Sequence, residues 1–381
     1  MNFLKQAQNI VKACDRCGTC LTVCPLFTLN GIERTSARGK NSIIRAFAAG
    51  LIPEMKEAQR ALDYCLLCRA CVDICPAHIQ TDEAVIFLRH YLASNSGGPP
   101  LRYRLMGKIL KNRPVMRVMG HFFSLWRAGK NNLLRRKYLT ALAGPALLGR
   151  KTLPSTVTPR HTDKVAFFEG CGMKFIFPAV AEKTKRLLQA TTGNFLTPEN
   201  MCCGLPHLAH GLIEDFIKLA QRNMELFSSA DIIVTDCASC GSTLKHLARF
   251  VPGEEAKNFA DRVMDITEYL VKVGYVPRKR GNLPLTYHDP CHLARGQGIT
   301  KEPRALLKQV GDFREMAGAN ECCGGAGSFC FEYPKAAKLI LERKERNIAQ
   351  TGAEVVVTAC PGCLIQLSRL SISACHISEI I

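Results

Sequence analysis

CDRCGTCLTVCP at 14–25 and CLLCRACVDICP at 65–76 are two copies of one pattern, C-x2-C-x2-C-x3-C-P. Three thiolates spaced by two residues wrap one iron-sulfur cubane, while the fourth, just before proline, points away and ligates the neighbouring cubane. This spacing predicts a 4Fe-4S cluster at Cys14, Cys17, Cys20 and Cys75, and a second at Cys65, Cys68, Cys71 and Cys24. A pair of zinc sites is the alternative, but zinc motifs do not use this run with its trailing proline.

The sequence around and between the two runs favours helices. SIIRAFAAGLI at 42–52 and PEMKEAQRALDY at 53–64 carry apolar residues at spacings of three and four, which is the period of an amphipathic helix. We therefore expect residues 1–95 to form an α-helical ferredoxin-like domain that carries both 4Fe-4S clusters.

The composition indicates a multidomain protein in a reducing compartment. With 381 residues, 47% of them hydrophobic, the chain can form two or three domains, each with its own core. Its 20 cysteines fit either a secreted disulfide scaffold or metal ligation. The first residues carry no secretory signal pattern, and no uncharged apolar run reaches about 18 residues. We therefore expect a cytoplasmic, metal-binding protein that does not span a membrane.

The net charge of +19 is concentrated in one segment. Between 97 and 160 there are 14 Lys or Arg residues and no Asp or Glu. We predict that 96–160 is a basic linker, amphipathic from Val115 to Trp126, that places the protein peripherally on the inner face of the cytoplasmic membrane. The segment would bind the anionic membrane surface or a quinone-reducing partner in the membrane. The alternative is a helix packed on the protein's own domains.

From residue 161 the sequence repeats itself. The first repeat, 161–280, and the second, 281–381, share the order strand, cysteine, helix, cysteine pair, helix, strand, cysteine pair. KVAFFEGC ends at Cys171 and LPLTYHDPC ends at Cys291, an offset of 120 residues. The fold class that we predict is α+β multidomain, with the helical domain followed by a duplicated, Rossmann-like α/β cysteine domain.

Each repeat offers five cysteines at strand ends and the loops beyond them. They are Cys171, Cys202, Cys203, Cys237 and Cys240 in the first repeat, and Cys291, Cys322, Cys323, Cys360 and Cys363 in the second. Five thiolates exceed the four that one zinc ion or one cubane needs, so an unusual cluster is the simplest explanation. The alternative, one zinc ion in each repeat with the fifth cysteine left as a free thiol, stays open. Cys330 and Cys375 are left unassigned.

Two histidines flank Cys291 without joining this predicted ligand set. His288 and His292 are suited to give a hydrogen bond or a proton near a cluster, but a loop histidine with an ordinary partner is the commoner case.

The tandem C-P runs followed by two CCG-type repeats resemble one known group. It comprises the iron-sulfur subunits of glycolate oxidase, of D-lactate dehydrogenase and of anaerobic glycerol-3-phosphate dehydrogenase, and the heterodisulfide reductase B and D subunits. In the heterodisulfide reductase branch the five cysteines of a repeat hold a non-cubane 4Fe-4S cluster, so the resemblance implies one or two such clusters here. TSARGKNSIIRAF at 35–47 looks most like the glycolate and lactate branch.

This resemblance implies an iron-sulfur subunit of a 2-hydroxy-acid dehydrogenase complex that is not catalytic alone. Its partner would be a flavoprotein that oxidises glycolate or D-lactate, and its electrons would pass toward a quinone or another respiratory acceptor. We find no flavin, NAD or acid-base catalytic motif, and no base-reading motif for nucleic acid. The alternative function is heterodisulfide-reductase-like reduction of a disulfide at non-cubane clusters.

Overall fold

A computed structural model describes residues 2–52, 54–112, 114–116, 118 and 162–381. This part of the chain divides into two compact units. We call Met1–Lys108, Gly204–Phe216 and Gly324–Ile340 the helical unit, and Ile109–Cys203, Ile217–Cys323 and Leu341–Ile381 the sheet unit. Of the predicted basic segment 96–160, residues 113, 117 and 119–160 lie outside the described residues. The domain boundaries expected from sequence stay predictions.

The helical unit confirms the predicted helical character of the N-terminal region. Its α-helices are Phe3–Val11, Pro25–Asn30, Ala37–Ala48, Met55–Asp63, Ala70–Asp73, Thr81–Asn95, Leu101–Lys111, Leu205–Ala209 and Phe329–Glu332, with 3-10 turns at Thr19–Leu21 and Glu33–Thr35. Helix Thr81–Asn95 is buried along most of its length and packs on helices Phe3–Val11, Ala37–Ala48 and Met55–Asp63. This arrangement holds the two cysteine runs in loops around one central helix.

The described sheet unit contains two four-stranded parallel sheets of the same topology. The strands are β1 Val165–Phe167, β2 Phe195–Leu196, β3 Ile232–Thr235, β4 Val263–Asp265, β5 Pro284–Tyr287, β6 Asp312–Phe313, β7 Val355–Thr358 and β8 Ser373–His376. Their orders are β2-β1-β3-β4 and β6-β5-β7-β8. The β-branched strands β3 and β7 are buried and flanked on both sides, as their sequences predict. The duplication is thus confirmed, and the Rossmann-like comparison stays a prediction.

The helices that accompany these strands repeat in the same order, except that Glu254–Asp261 of the first repeat has no counterpart in the second. They are Cys171–Phe175, Pro178–Thr191, Ile213–Leu226, Ala238–Lys245, Glu254–Asp261 and Ile266–Lys272, then Cys291–Gln297, Lys301–Val310, Pro334–Ala349, Pro361–Leu367 and Ile377–Ile380. The last residue of the final strand in each sheet, Asp265 of β4 and His376 of β8, is the N-cap of the next helix, and both form a capping box. No described helix is both long enough and apolar enough to cross a membrane.

Candidate iron-sulfur sites

The first cysteine run forms a tight loop, and two cysteines of the second run lie against it. Arg16 and Gly18 adopt left-handed backbone conformations, with φ of 58° and 88°, and these turns bring the intervening thiols to one side. The resulting cavity is lined by Cys14, Cys17 and Cys20 together with Cys71 and Cys75 of the second run. The structure therefore brings Cys75 to the cysteines of the first run.

The second run folds in the same way and receives Cys24 from the first. Leu67 and Arg69 repeat the left-handed conformations, with φ of 52° and 61°. Burial raises the pKa of Cys71 well above its usual range, and the nearby thiols of Cys68, Cys65 and Cys24 raise it further. The thiolate is the form that binds iron, so loading such a site releases these protons.

Helix Ala37–Ala48 presents two polar side chains to these groups. Asn41 donates from Nδ2 to the sulfur of Cys14 at 3.5 Å. Lys40 is 2% exposed, and its ammonium donates to the carbonyl of Thr35, which also accepts from the sulfur of Cys24. A cation thus lies beside the second group of thiols and a neutral amide beside the first.

In the sheet unit the ten predicted cysteines lie in the loops beyond the carboxyl ends of strands or in the first turns of the helices that follow, where Cys240 and Cys363 are found. Cys171 and Cys291 begin short helices after β1 and β5, and Cys237 and Cys360 are N-cap residues after β3 and β7. The four CC-pair cysteines are buried, as are Cys237, Cys240, Cys360 and Cys363. Open parallel sheets bind ligands at this edge.

The thiols of the two repeats are not two isolated sets. Sulfur contacts join Cys203 to Cys240 and Cys240 to Cys237 in the first repeat, and Cys323 to Cys363 and Cys363 to Cys360 in the second. A further contact joins Cys237 to Cys360. Hydrogen bonds from Cys237 and Cys363 hold the pKa of Cys360 well below its usual range. The two candidate centres therefore adjoin each other through Cys237 and Cys360.

Backbone contacts fix this junction between the repeats. The amide of Ala238 donates to the carbonyl of Ala359 at 3.1 Å. The equivalent bond in the other direction, from the amide of residue 361 to the carbonyl of Asp236, cannot form because Pro361 has no amide proton. The carbonyl of Asp236 instead lies 2.9 Å from Nε2 of the buried His376.

The two CC loops are held by different side chains at matching positions of their helices. Asn223 accepts from the amide of Met201 at 2.8 Å and donates to the carbonyl of Cys202 at 3.1 Å. In the second repeat Lys344 donates to the carbonyl of Gly318 at 2.6 Å, and burial lowers its pKa to about 8. The second loop therefore has a buried cation where the first has an amide.

The two histidines beside Cys291 differ in their surroundings. His292 has an ordinary side-chain partner, as sequence reasoning favoured, since its Nδ1 lies 3.0 Å from Oγ of Ser239 in helix Ala238–Lys245. His288 is fully buried, and neither ring nitrogen has a hydrogen-bond partner within the described chain. Burial, and then the charge of Lys344, lower the pKa of His288 to about 3. Sequence reasoning left His288 out of the site because the direction of its ring could not be read from the cysteine spacing.

These residues fit iron-sulfur centres on chemical grounds. Every predicted cysteine is a free thiol, and in the helical unit Cys14, Cys17, Cys20, Cys71 and Cys75 line one cavity, while Cys24, Cys65 and Cys68 lie near Cys71. Thiolates are the soft ligands that such clusters require. Gly170 leaves room at the first repeat's thiols, because an added Cβ would lie 3.2 Å from the sulfur of Cys240.

Comparison with known proteins agrees with this arrangement. Residues 10–79 match the 4Fe-4S dicluster domain family, and residues 165–245 and 285–368 match the CCG cysteine-rich domain family. The probable glycolate oxidase iron-sulfur subunit of Bacillus subtilis is 29% identical, over 96% of this chain and 92% of that protein. A subunit of the fumarate reductase (CoM/CoB) of Methanothermobacter marburgensis is 26% identical, over 94% of this chain and 67% of that protein.

Lactate utilization protein A of Shouchella clausii is 31% identical, over 57% of this chain and 98% of its own length. The duplicated CCG repeats and the dicluster run are thus both matched by relatives. The chain belongs to the family of iron-sulfur proteins that includes the glycolate oxidase iron-sulfur subunits and lactate utilization protein A.

Proposed function

We propose that this chain is the electron-transfer subunit of a 2-hydroxy-acid dehydrogenase complex of the glycolate or D-lactate type. A flavoprotein partner would oxidise the hydroxy acid, and this chain would pass the electrons toward a quinone or another respiratory acceptor. The observation that supports the proposal is the proximity of the two runs, since Cys75 lines the cavity of the first run's cysteines and Cys24 lies near Cys71 of the second run. Adjacent clusters, when bound, supply one-electron transfer steps.

The ligand assignment forms part of the proposal. Cys14, Cys17, Cys20 and Cys75 would hold one 4Fe-4S cluster, and Cys65, Cys68, Cys71 and Cys24 the other. The five cysteines of each CCG repeat would hold a further centre. The chain's own contribution is to bury most of the thiols of the CCG repeats and to place Lys40 and Asn41 beside the thiols of the two N-terminal runs.

Anaerobic purification of the tagged chain from its own host tests this function. We expect a flavin-containing protein to co-purify, and glycolate or D-lactate to bleach the visible iron-sulfur absorbance within seconds, with L-lactate as the control substrate. A chain that carries reducible clusters but is not reduced by any 2-hydroxy acid in the presence of the co-purified flavoprotein would contradict the dehydrogenase assignment.

The contact between Cys237 and Cys360 favours one second candidate, reduction of a disulfide at the CCG centres. A disulfide bound between two adjoining centres would take two electrons and two protons and leave as two thiols. This function predicts that the reduced chain is oxidised by an organic disulfide without any flavoprotein. Stopped-flow mixing with a disulfide, followed by thiol counting, distinguishes the two functions.

A further inference from the structure

His288 lies at the carboxyl end of β5 with its ring directed into the cysteine site of the second repeat. A ring nitrogen of His288 and the sulfurs of Cys323 and Cys363 all lie within 4.8 Å of one another. All three residues are buried. The backbone amide of His288 donates to the carbonyl of Val357 at 2.9 Å, which fixes the residue in the sheet. The imidazole is thus held in place at the thiols by the strand itself.

The ring nitrogens of His288 need a partner that the described protein does not provide. Both are buried without a hydrogen bond to any described residue. A buried polar group without a partner is unfavourable, and native proteins rarely tolerate one without a role. A metal ion bound by the neighbouring thiolates would satisfy one nitrogen, because neutral imidazole is a common metal ligand.

The first repeat shows that the fold does not require a histidine here. Phe168 occupies the same position after β1, and its amide donates to the carbonyl of Val234 at 2.8 Å, as His288 does to Val357. Its ring packs near Phe227, with the centroids 5.6 Å apart. An apolar ring therefore suffices for the packing at this corner of the sheet, and the imidazole is specific to the second repeat.

We propose that His288 provides an imidazole nitrogen ligand to the metal centre held by Cys323 and Cys363, so that the second CCG centre has mixed sulfur and nitrogen ligation. The first centre has only sulfur ligands from side chains. This inference rests on the proposed occupation of the second cysteine site by a metal centre, and not on the identity of the electron donor.

The test uses the full chain, reconstituted anaerobically with iron and sulfide and labelled with ¹⁵N-histidine. Pulsed EPR of the reduced protein should show a nitrogen coupling that changes from ¹⁴N to ¹⁵N on labelling. The coupling should be lost in His288→Phe, which introduces the residue of the first repeat, and kept in the matched control His292→Asn. It should also vanish in Cys323→Ser and persist in Cys203→Ser, which assigns it to the second centre.

Metal analysis of the wild-type chain distinguishes a wrong ligand assignment from a second site that holds no metal. If the second site holds zinc, the zinc-edge X-ray absorption spectrum should show a nitrogen shell at about 2.0 Å beside sulfur at about 2.3 Å. A metal-bearing second site with no histidine nitrogen in either spectrum overturns the ligand assignment alone. Metal content fully explained by the two ferredoxin-type clusters overturns the occupation of the site and the ligand assignment together. Neither result depends on the folding of a variant.

Discussion

Arg45 and Arg89 make the same three backbone contacts, each with the chain at the start of one cysteine run. The guanidinium of Arg45 donates to the carbonyls of Val11, Lys12 and Cys14 at distances from 2.7 to 3.1 Å. The guanidinium of Arg89 donates to the carbonyls of Leu62, Asp63 and Cys65 at distances from 2.6 to 3.4 Å. Each arginine thus holds in place the backbone that leads into its run.

Replacing either arginine by methionine should loosen the run that it holds. Hydrogen bonds to a charged donor contribute about 1.5–3 kcal/mol each, and these carbonyls would lose several of them. We expect Arg45→Met and Arg89→Met to lower the iron content after anaerobic reconstitution by about one cluster and to reduce the melting temperature. Iron and sulfide analysis with calorimetry measures both effects.

The exposed Arg60→Met is the matched control and should leave both values unchanged. Arg45→Lys should behave like Arg45→Met, because a single ammonium cannot reach the three carbonyls that the planar guanidinium spans. Full iron content in Arg45→Met would show that the carbonyl contacts are dispensable for cluster binding.

The exchange of cysteines between the runs predicts a crossed pattern of damage. Cys24→Ser should weaken the cluster built mainly by Cys65, Cys68 and Cys71, and Cys75→Ser should weaken the one built mainly by Cys14, Cys17 and Cys20. Mössbauer and EPR spectra of the two variants count the affected clusters, with Cys330→Ser as the control. Damage confined to the mutated run's own cluster would contradict the crossed assignment.

The buried ammonium of Lys40 should raise the reduction potential of the cluster that Cys24 ligates, because a nearby positive charge favours the more negative, reduced form. Lys40→Met removes the charge and keeps the length of the side chain. We expect the midpoint potential of that cluster to fall by on the order of 60 mV, a tenfold change in a one-electron equilibrium.

An EPR-monitored redox titration makes this measurement. The exposed Lys56→Met changes the net charge equally and should leave the potential within error. A fall of the same size in Lys56→Met would attribute the effect to net charge instead of proximity.

Asp265 should make its helix cap pH-dependent. Burial raises the pKa of Asp265 to about 7 in the fold, although its side chain accepts hydrogen bonds from Thr267. The folded state then binds a proton more tightly than the unfolded state, so this contribution to stability is complete below pH about 4 and is lost as the pH rises through about 7. A pKa difference of one between the two states corresponds to about 1.36 kcal/mol, so the free energy of unfolding changes by at most about 4 kcal/mol.

Amide hydrogen exchange in helix Ile266–Lys272, corrected for the intrinsic rate, measures this effect in the intact protein. Protection should decrease from pH 4 to 7 in the wild type and stay nearly constant in Asp265→Asn, which cannot titrate. Parallel pH profiles in the two proteins would rule out Asp265 as the cause.

The features that depend on local spacing can be predicted from the amino-acid sequence. The two C-x2-C-x2-C-x3-C-P runs, the duplicated CCG repeats and the buried strands β3 and β7 can all be read from positions within a few residues of each other. Cluster chemistry and strand burial constrain those spacings directly. For this reason the family and the mixed helix and parallel-sheet architecture were predicted correctly.

The contacts between side chains that are distant in sequence depend on the tertiary structure. The contact between Cys237 and Cys360, the direction of the His288 ring and the burial of Lys40 depend on how helices and strands pack, and no local pattern encodes them. Phe168 and His288 illustrate the reason. They occupy equivalent backbone positions in the two repeats, and only the packing around each ring shows that His288 faces the thiols of Cys323 and Cys363. Sequence spacing identifies the thiols, and packing determines the charges and donors around them.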